Sequence, residues 1–63
     1  MDTLKKIKEL VEKMSVDTQK VYDKGNRSAS IRARKYAQEI KFLIGVYRKE
    51  ILEEMKKHDT TTN

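Results

Sequence analysis

Two stretches of regularly spaced apolar residues, separated by nothing longer than Gly25-Asn26, constrain this chain more than any other feature. In the first, Leu4, Ile7, Val11, Met14 and Val21 recur every three or four positions, with Thr18 filling the gap. That spacing places one apolar stripe on a helix. Asp2 or Thr3 is expected to cap its start. Gly25 is expected to end it, because glycine enters the left-handed conformation beyond a helix end without a Cβ penalty. Asn26 or Ser28 can cap a second helix at once. In that helix Ala33, Ala37, Ile40, Ile44, Tyr47 and Ile51 repeat the spacing, and Tyr36, Leu43 and Met55 widen the stripe. A link this short returns the second helix along the first.

The expected fold is therefore all-α: an antiparallel helical hairpin, about 3–24 and 27–58, within a single domain 1–58. The last residues, 59–63, read as a disordered tail without apolar periodicity. The second helix, roughly 30 residues and about 45 Å long, outreaches the first by about two turns and leaves Ile51, Leu52 and Met55 uncovered. Phe42 and Val46 fall on its back. A 63-residue chain without cysteine has neither disulfides nor a thiolate zinc site to enlarge so thin a core. Association is the remaining route. The expected assembly is a homo-oligomeric helical bundle or coiled coil, a dimer first, with Phe42, Val46, Ile51, Leu52 and Met55 at the interface. Gly45 in mid-helix, where glycine costs about 1 kcal/mol against alanine, points to close approach by another body.

Charge supplies the functional signal. The formal net charge is +5, and it is unevenly placed. Residues 25–51 hold seven Lys or Arg and two acids, whereas residues 1–24 hold six Lys and five acids. All four arginines lie in the middle block. Arg27, Arg34, Lys41 and Arg48 are seven residues apart, so they drift only about 20° per step and form one line. The line covers about 31 Å, close to the 34–36 Å or so of one B-DNA turn. Arg32, Lys35 and Lys49 flank it. Arginine's planar fork suits paired phosphate oxygens, and the free amides of "GNRSAS" at a helix start suit an anion. These residues, with the line itself, are the candidate nucleic-acid contacts, placed at the edge of the apolar stripe. The same cations could instead pair with Glu9, Glu12, Asp17 and Asp23 of the first helix, or with an acidic partner helix. A coiled-coil adaptor binding an acidic protein is thus the alternative reading.

Enzyme chemistry is excluded by what is missing. His58 stands alone, Glu53 and Glu54 face different directions, and no nucleophile has a base in fixed relation to it. No cofactor, metal or small-molecule substrate is expected. The longest uninterrupted apolar run, Phe42 to Tyr47, is far shorter than a membrane span, and no signal-peptide pattern opens the chain. A cytoplasmic protein is expected.

The run "KGNRSASIRARKYAQEIKFLIGVYRKE", Lys24 to Glu50, resembles the conserved core of the chlamydial-type histone-like proteins, the bacterial linker-histone-like nucleoid family. The pattern is matched at Gly25, Asn26, Arg27, Ala29, Arg32, Arg34, Glu39, Lys41, Tyr47, Arg48 and Lys49. The small Ser that follows the Arg element in that family is replaced by Tyr36 and Ala37. The resemblance implies a nucleoid-associated protein that binds double-stranded DNA, with RNA not separable by charge, and without strong sequence preference. Chlamydial members continue into a Lys/Ala/Pro-rich tail, where this sequence ends "HDTTTN", so a short form is implied.

Overall fold

The computed structural model describes the backbone of residues 1–62 and the side chains of residues 1–58, so the tail expected at 59–63 lies outside the fully described residues. Two helices make up the fold, α1 (Asp2–Lys24) and α2 (Arg27–Thr62), with no strand among the described residues. Asp17 meets Arg32 and Lys6 lies beside Glu39 and Phe42, so the helices run antiparallel. The hairpin is a rod of 57 × 15 × 14 Å. Its length is that of α2, whose 36 residues exceed the 23 of α1. No Gly or Pro follows His58, and α2 continues past the end expected there.

The turn is built as its residues dictate. Gly25 adopts φ 61°, ψ 33°, and its N–H donates to the Val21 carbonyl at 2.9 Å. The Asn26 N–H reaches the Lys20 carbonyl at 3.4 Å. The Val21 carbonyl, one of those left over at the end of α1, is thereby satisfied. Asn26 then caps α2: its Oδ1 accepts from the Ala29 N–H at 3.0 Å. The start of α1 differs from expectation. Met1 occupies the cap position and makes no side-chain cap bond, and Asp2 lies already inside the first turn. There its charge faces the positive end of the helix dipole without closing a cap.

The helices meet through a narrower and differently rotated seam than the apolar residues suggest. On α1 the covered residues are Thr3, Ile7, Leu10, Met14, Asp17 and Val21. On α2 they are Ala29, Ala33, Tyr36, Ile40, Leu43, Tyr47 and Glu50, with Ser30 and Val46 half-buried beside them. Both sets step by alternate threes and fours. Leu10 and Asp17 thus replace Leu4, Val11 and Thr18 in the contact, and Ala37, Ile44 and Ile51 turn outward. Leu4, Val11, Ile44 and Ile51 are each about two-fifths exposed, at 38–43%. Each helix carries an apolar stripe wide enough for a bundle, while one partner helix covers only the strip beneath it. Among the described residues, only Ile7, Leu10 and Ala29 are buried apolar residues. Beyond the start of α1, Leu52 and Met55 stand exposed, as the difference in helix length requires.

Candidate nucleic-acid interface

The rotated seam moves the basic line. With the contact centred on Tyr36 and Ile40, Arg27, Arg34, Lys41 and Arg48 point about 110–170° away from it. They lie on the outer face of α2, not at the edge of the core. Lys35 and Lys49 form a second row on the other side of that face. Between the two rows runs an uncharged line, Ile31, Gln38, Gly45 and Leu52, about 150–170° from the seam. All six cations are exposed. Among the described residues none of the six forms an ion pair; the carboxylates of α1 do not reach round to them. The Lys57–Glu54 ion pair and the contact of His58 with Glu54 lie far along α2.

Arg32 is the exception, because it is paired within the hairpin. Its Nε donates to both oxygens of Asp17, at 3.3 and 3.2 Å, and its Nη2 donates to Oδ1 at 3.0 Å. Asp17 occupies a seam position and is only 5% exposed. A carboxylate so covered requires a charged, hydrogen-bonding partner. Those hydrogen bonds hold the Asp17 carboxyl below its ordinary value of 3.8; burial opposes them, and the charges of Arg32 and Lys20 reinforce them. The same hydrogen bonds push Arg32 upward against its own desolvation, with the Asp17 charge and Tyr36 adding to the effect. Arg32 therefore ties α2 to α1, its charge paired with the covered Asp17 while its own side chain stays partly in solvent.

The remaining expected site residues divide. Phe42 is 72% exposed, and Leu52, Met55 and Ile51 are exposed. Val46 is half-covered within the hairpin itself. Asp17 was legible only in part: Ile7, Leu10, Met14 and Val21 also follow a 3-4 course through it, but an apolar reading chooses Thr18 instead. No group of His and acidic side chains able to hold a metal occurs among the described residues. No described helix is long and apolar enough to cross a membrane. Half-buried Glu50 has an Oε1 without a hydrogen-bond partner, for which the structure offers no account.

The family model described as "Histone H1-like protein Hc1" matches residues 1–57. No curated protein and no solved structure matches the chain.

Proposed function

Because the chain belongs to the histone H1-like Hc1 family, a family of DNA-binding nucleoid proteins, we propose that it grips duplex phosphates with the outer face of α2. The contacts are Arg27, Arg34, Lys35, Lys41, Arg48 and Lys49. The observation that carries this reading is that six exposed cations share one face and, among the described residues, no carboxylate takes any of them. Unpaired cations on a rigid rod are held ready for an outside polyanion. Arg32, spent on Asp17, positions that rod without touching the phosphates. Phosphate contacts carry no base information, so binding is indifferent to sequence apart from DNA shape. The physical agent is counterion release: each neutralised phosphate frees condensed cations, which makes the affinity strongly dependent on salt.

Self-association belongs to the same reading. The flank of Leu4, Val11, Ile44 and Ile51, continued by Leu52 and Met55 beyond the start of α1, is apolar in a chain that is 40% charged. A second hairpin laid on that flank completes a bundle and leaves the outer face of α2 free for DNA.

The test is binding to unrelated duplexes across a salt series. Six contacts predict a slope of log affinity against log salt of about −5 per protomer. Replacing Arg34 and Lys41 together by Gln flattens it by about 2, equally on every sequence. Replacing Lys5 and Lys8 by Gln is the control, with the same charge removed from α1. Equal effects from both pairs would mean that net charge alone is responsible. If neither pair matters, the protein is not a phosphate binder, and an acidic protein partner becomes the better reading.

A further inference from the structure

Gly45 sits where nothing in the hairpin calls for a glycine. It lies in mid-helix, its conformation is helical, and a Cβ built on it meets nothing within 4 Å. Alanine would be accommodated by the fold and would favour the helix more. The four residues one turn away on the helix surface, at three and four positions to either side, are Lys41, Phe42, Arg48 and Lys49. Three are unpaired cations and the fourth is a phenyl ring 72% exposed to water. Gln38, one heptad earlier, has a similar ring of Arg34, Lys35, Lys41 and Phe42, so what sets Gly45 apart is the bare backbone at its centre. A shallow groove beside the glycine is lined by Gln38, Lys41, Phe42, Gly45, Val46 and Lys49. No acid lies anywhere between Lys41 and Lys49.

We propose that this bare stretch of backbone, ringed by Lys41, Phe42, Arg48 and Lys49, is where double-stranded DNA comes closest to the protein, and that Phe42 wedges against a base step there. The inference rests on the phosphate-binding reading above and adds a contact to the bases. Charge selects the occupant. A second copy meeting this surface about a two-fold axis would set three cations against three cations, the nearest acids, Glu39 and Glu53, lying to one side beyond Phe42 and Lys49. A duplex satisfies the cations with phosphates on both sides of the glycine. The missing side chain lets the sugar–phosphate backbone reach the helix, and the ring is then presented to the groove. Apolar side chains used in this way partly unstack a base step and bend or unwind the duplex. The wedge carries no base code, so it is compatible with sequence-indifferent binding, and it favours flexible pyrimidine–purine steps.

The experiment compares the full chain with Phe42→Ala, Phe42→Leu and Gly45→Leu. Each is measured for duplex affinity over a salt series, for mass in solution without DNA, and for the linking number left in a closed circular plasmid relaxed by a topoisomerase in its presence. Phe42→Ala is expected to bind on the order of tenfold more weakly, with the salt slope unchanged, because no charge is lost. It should also abolish the linking-number change that the parent protein produces. Phe42→Leu keeps an apolar wedge and should retain most of that change. Gly45→Leu should raise the thermal midpoint, through helix propensity, and yet weaken binding, two effects a merely structural glycine would not combine. If the parent shows no salt-dependent duplex binding, it is the phosphate-binding reading that fails. If it binds with the expected slope and all three variants match it in affinity and topology, the wedge is refuted. A fall in assembly mass for Phe42→Ala, with unaltered DNA binding, would assign the ring to a contact between copies and overturn the proposal as well.

Discussion

Arg32 and Arg34 stand two residues apart, have the same side chain, and are expected to behave in opposite ways. Arg32 makes three hydrogen bonds to Asp17, while Arg34 is exposed without an ion pair. Consider Arg34→Gln and Arg32→Gln, each removing one positive charge from α2. A phosphate contact contributes about 0.9 to the salt slope, so between about 50 and 200 mM salt one contact accounts for roughly a three- to fourfold change in affinity. Arg34→Gln should therefore flatten the slope by about 0.9, and its disadvantage should shrink by that factor as salt rises. Arg32→Gln should leave the slope nearly unchanged. Its effect falls on stability, since Asp17 is left covered by α2 with its partner gone. The thermal midpoint should drop, and adding Asp17→Asn should recover part of the loss, a coupling that a double-mutant cycle isolates. The assay is fluorescence anisotropy on a labelled duplex of about three turns, beside thermal melts by circular dichroism. Equal flattening by both substitutions would refute the reasoning, because Arg32 would then be contacting phosphate and the ion pair would not persist in solution.

Three other outcomes follow from the same geometry. Asp17 has a folded-state value below its ordinary 3.8, so its contribution to stability is present above that value and is lost as pH falls through the depressed one; melts at decreasing pH should show this loss, and Asp17→Asn should remove that part of the pH dependence. Asn26→Ala deletes the cap on the Ala29 N–H and should cost about 1 kcal/mol, and Gly25→Ala, forced to φ 61°, should cost roughly 1–2 kcal/mol; denaturant titration of each checks both. If hairpins assemble through the Leu4–Ile51 flank, the thermal midpoint should rise with protein concentration, and Ile44→Lys with Ile51→Lys should make it concentration-independent, with monomeric mass in ultracentrifugation.

Much of the local structure was determined by residues acting on their neighbours. Gly25 ends one helix because it alone reaches the left-handed region cheaply, and Asn26 starts the next because its short side chain meets the Ala29 amide. The 3-4 spacing makes two helices and the seven-residue spacing makes a cation line; both are properties of one helix and need no partner. The excess length of α2, and with it the exposure of Leu52 and Met55, also follows from counting residues. What spacing leaves open is rotation about the helix axis. Leu4-Ile7-Val11-Met14 and Ile7-Leu10-Met14-Asp17 are equally periodic, and the partner helix decides which of them is covered. The structure selects the course with a buried carboxylate because Arg32 reaches across from α2 to meet it, a contact between residues 15 apart in sequence. That choice turns Ile44 and Ile51 outward, pairs Arg32 with Asp17, and swings the basic line from the edge of the core to the far side of the rod. Gly45 then comes to lie at the outermost point among three cations and a phenyl ring. Periodicity is set within a helix, but its phase is a property of the pair, so the side of the rod on which the cations stand was decided only when the two helices packed.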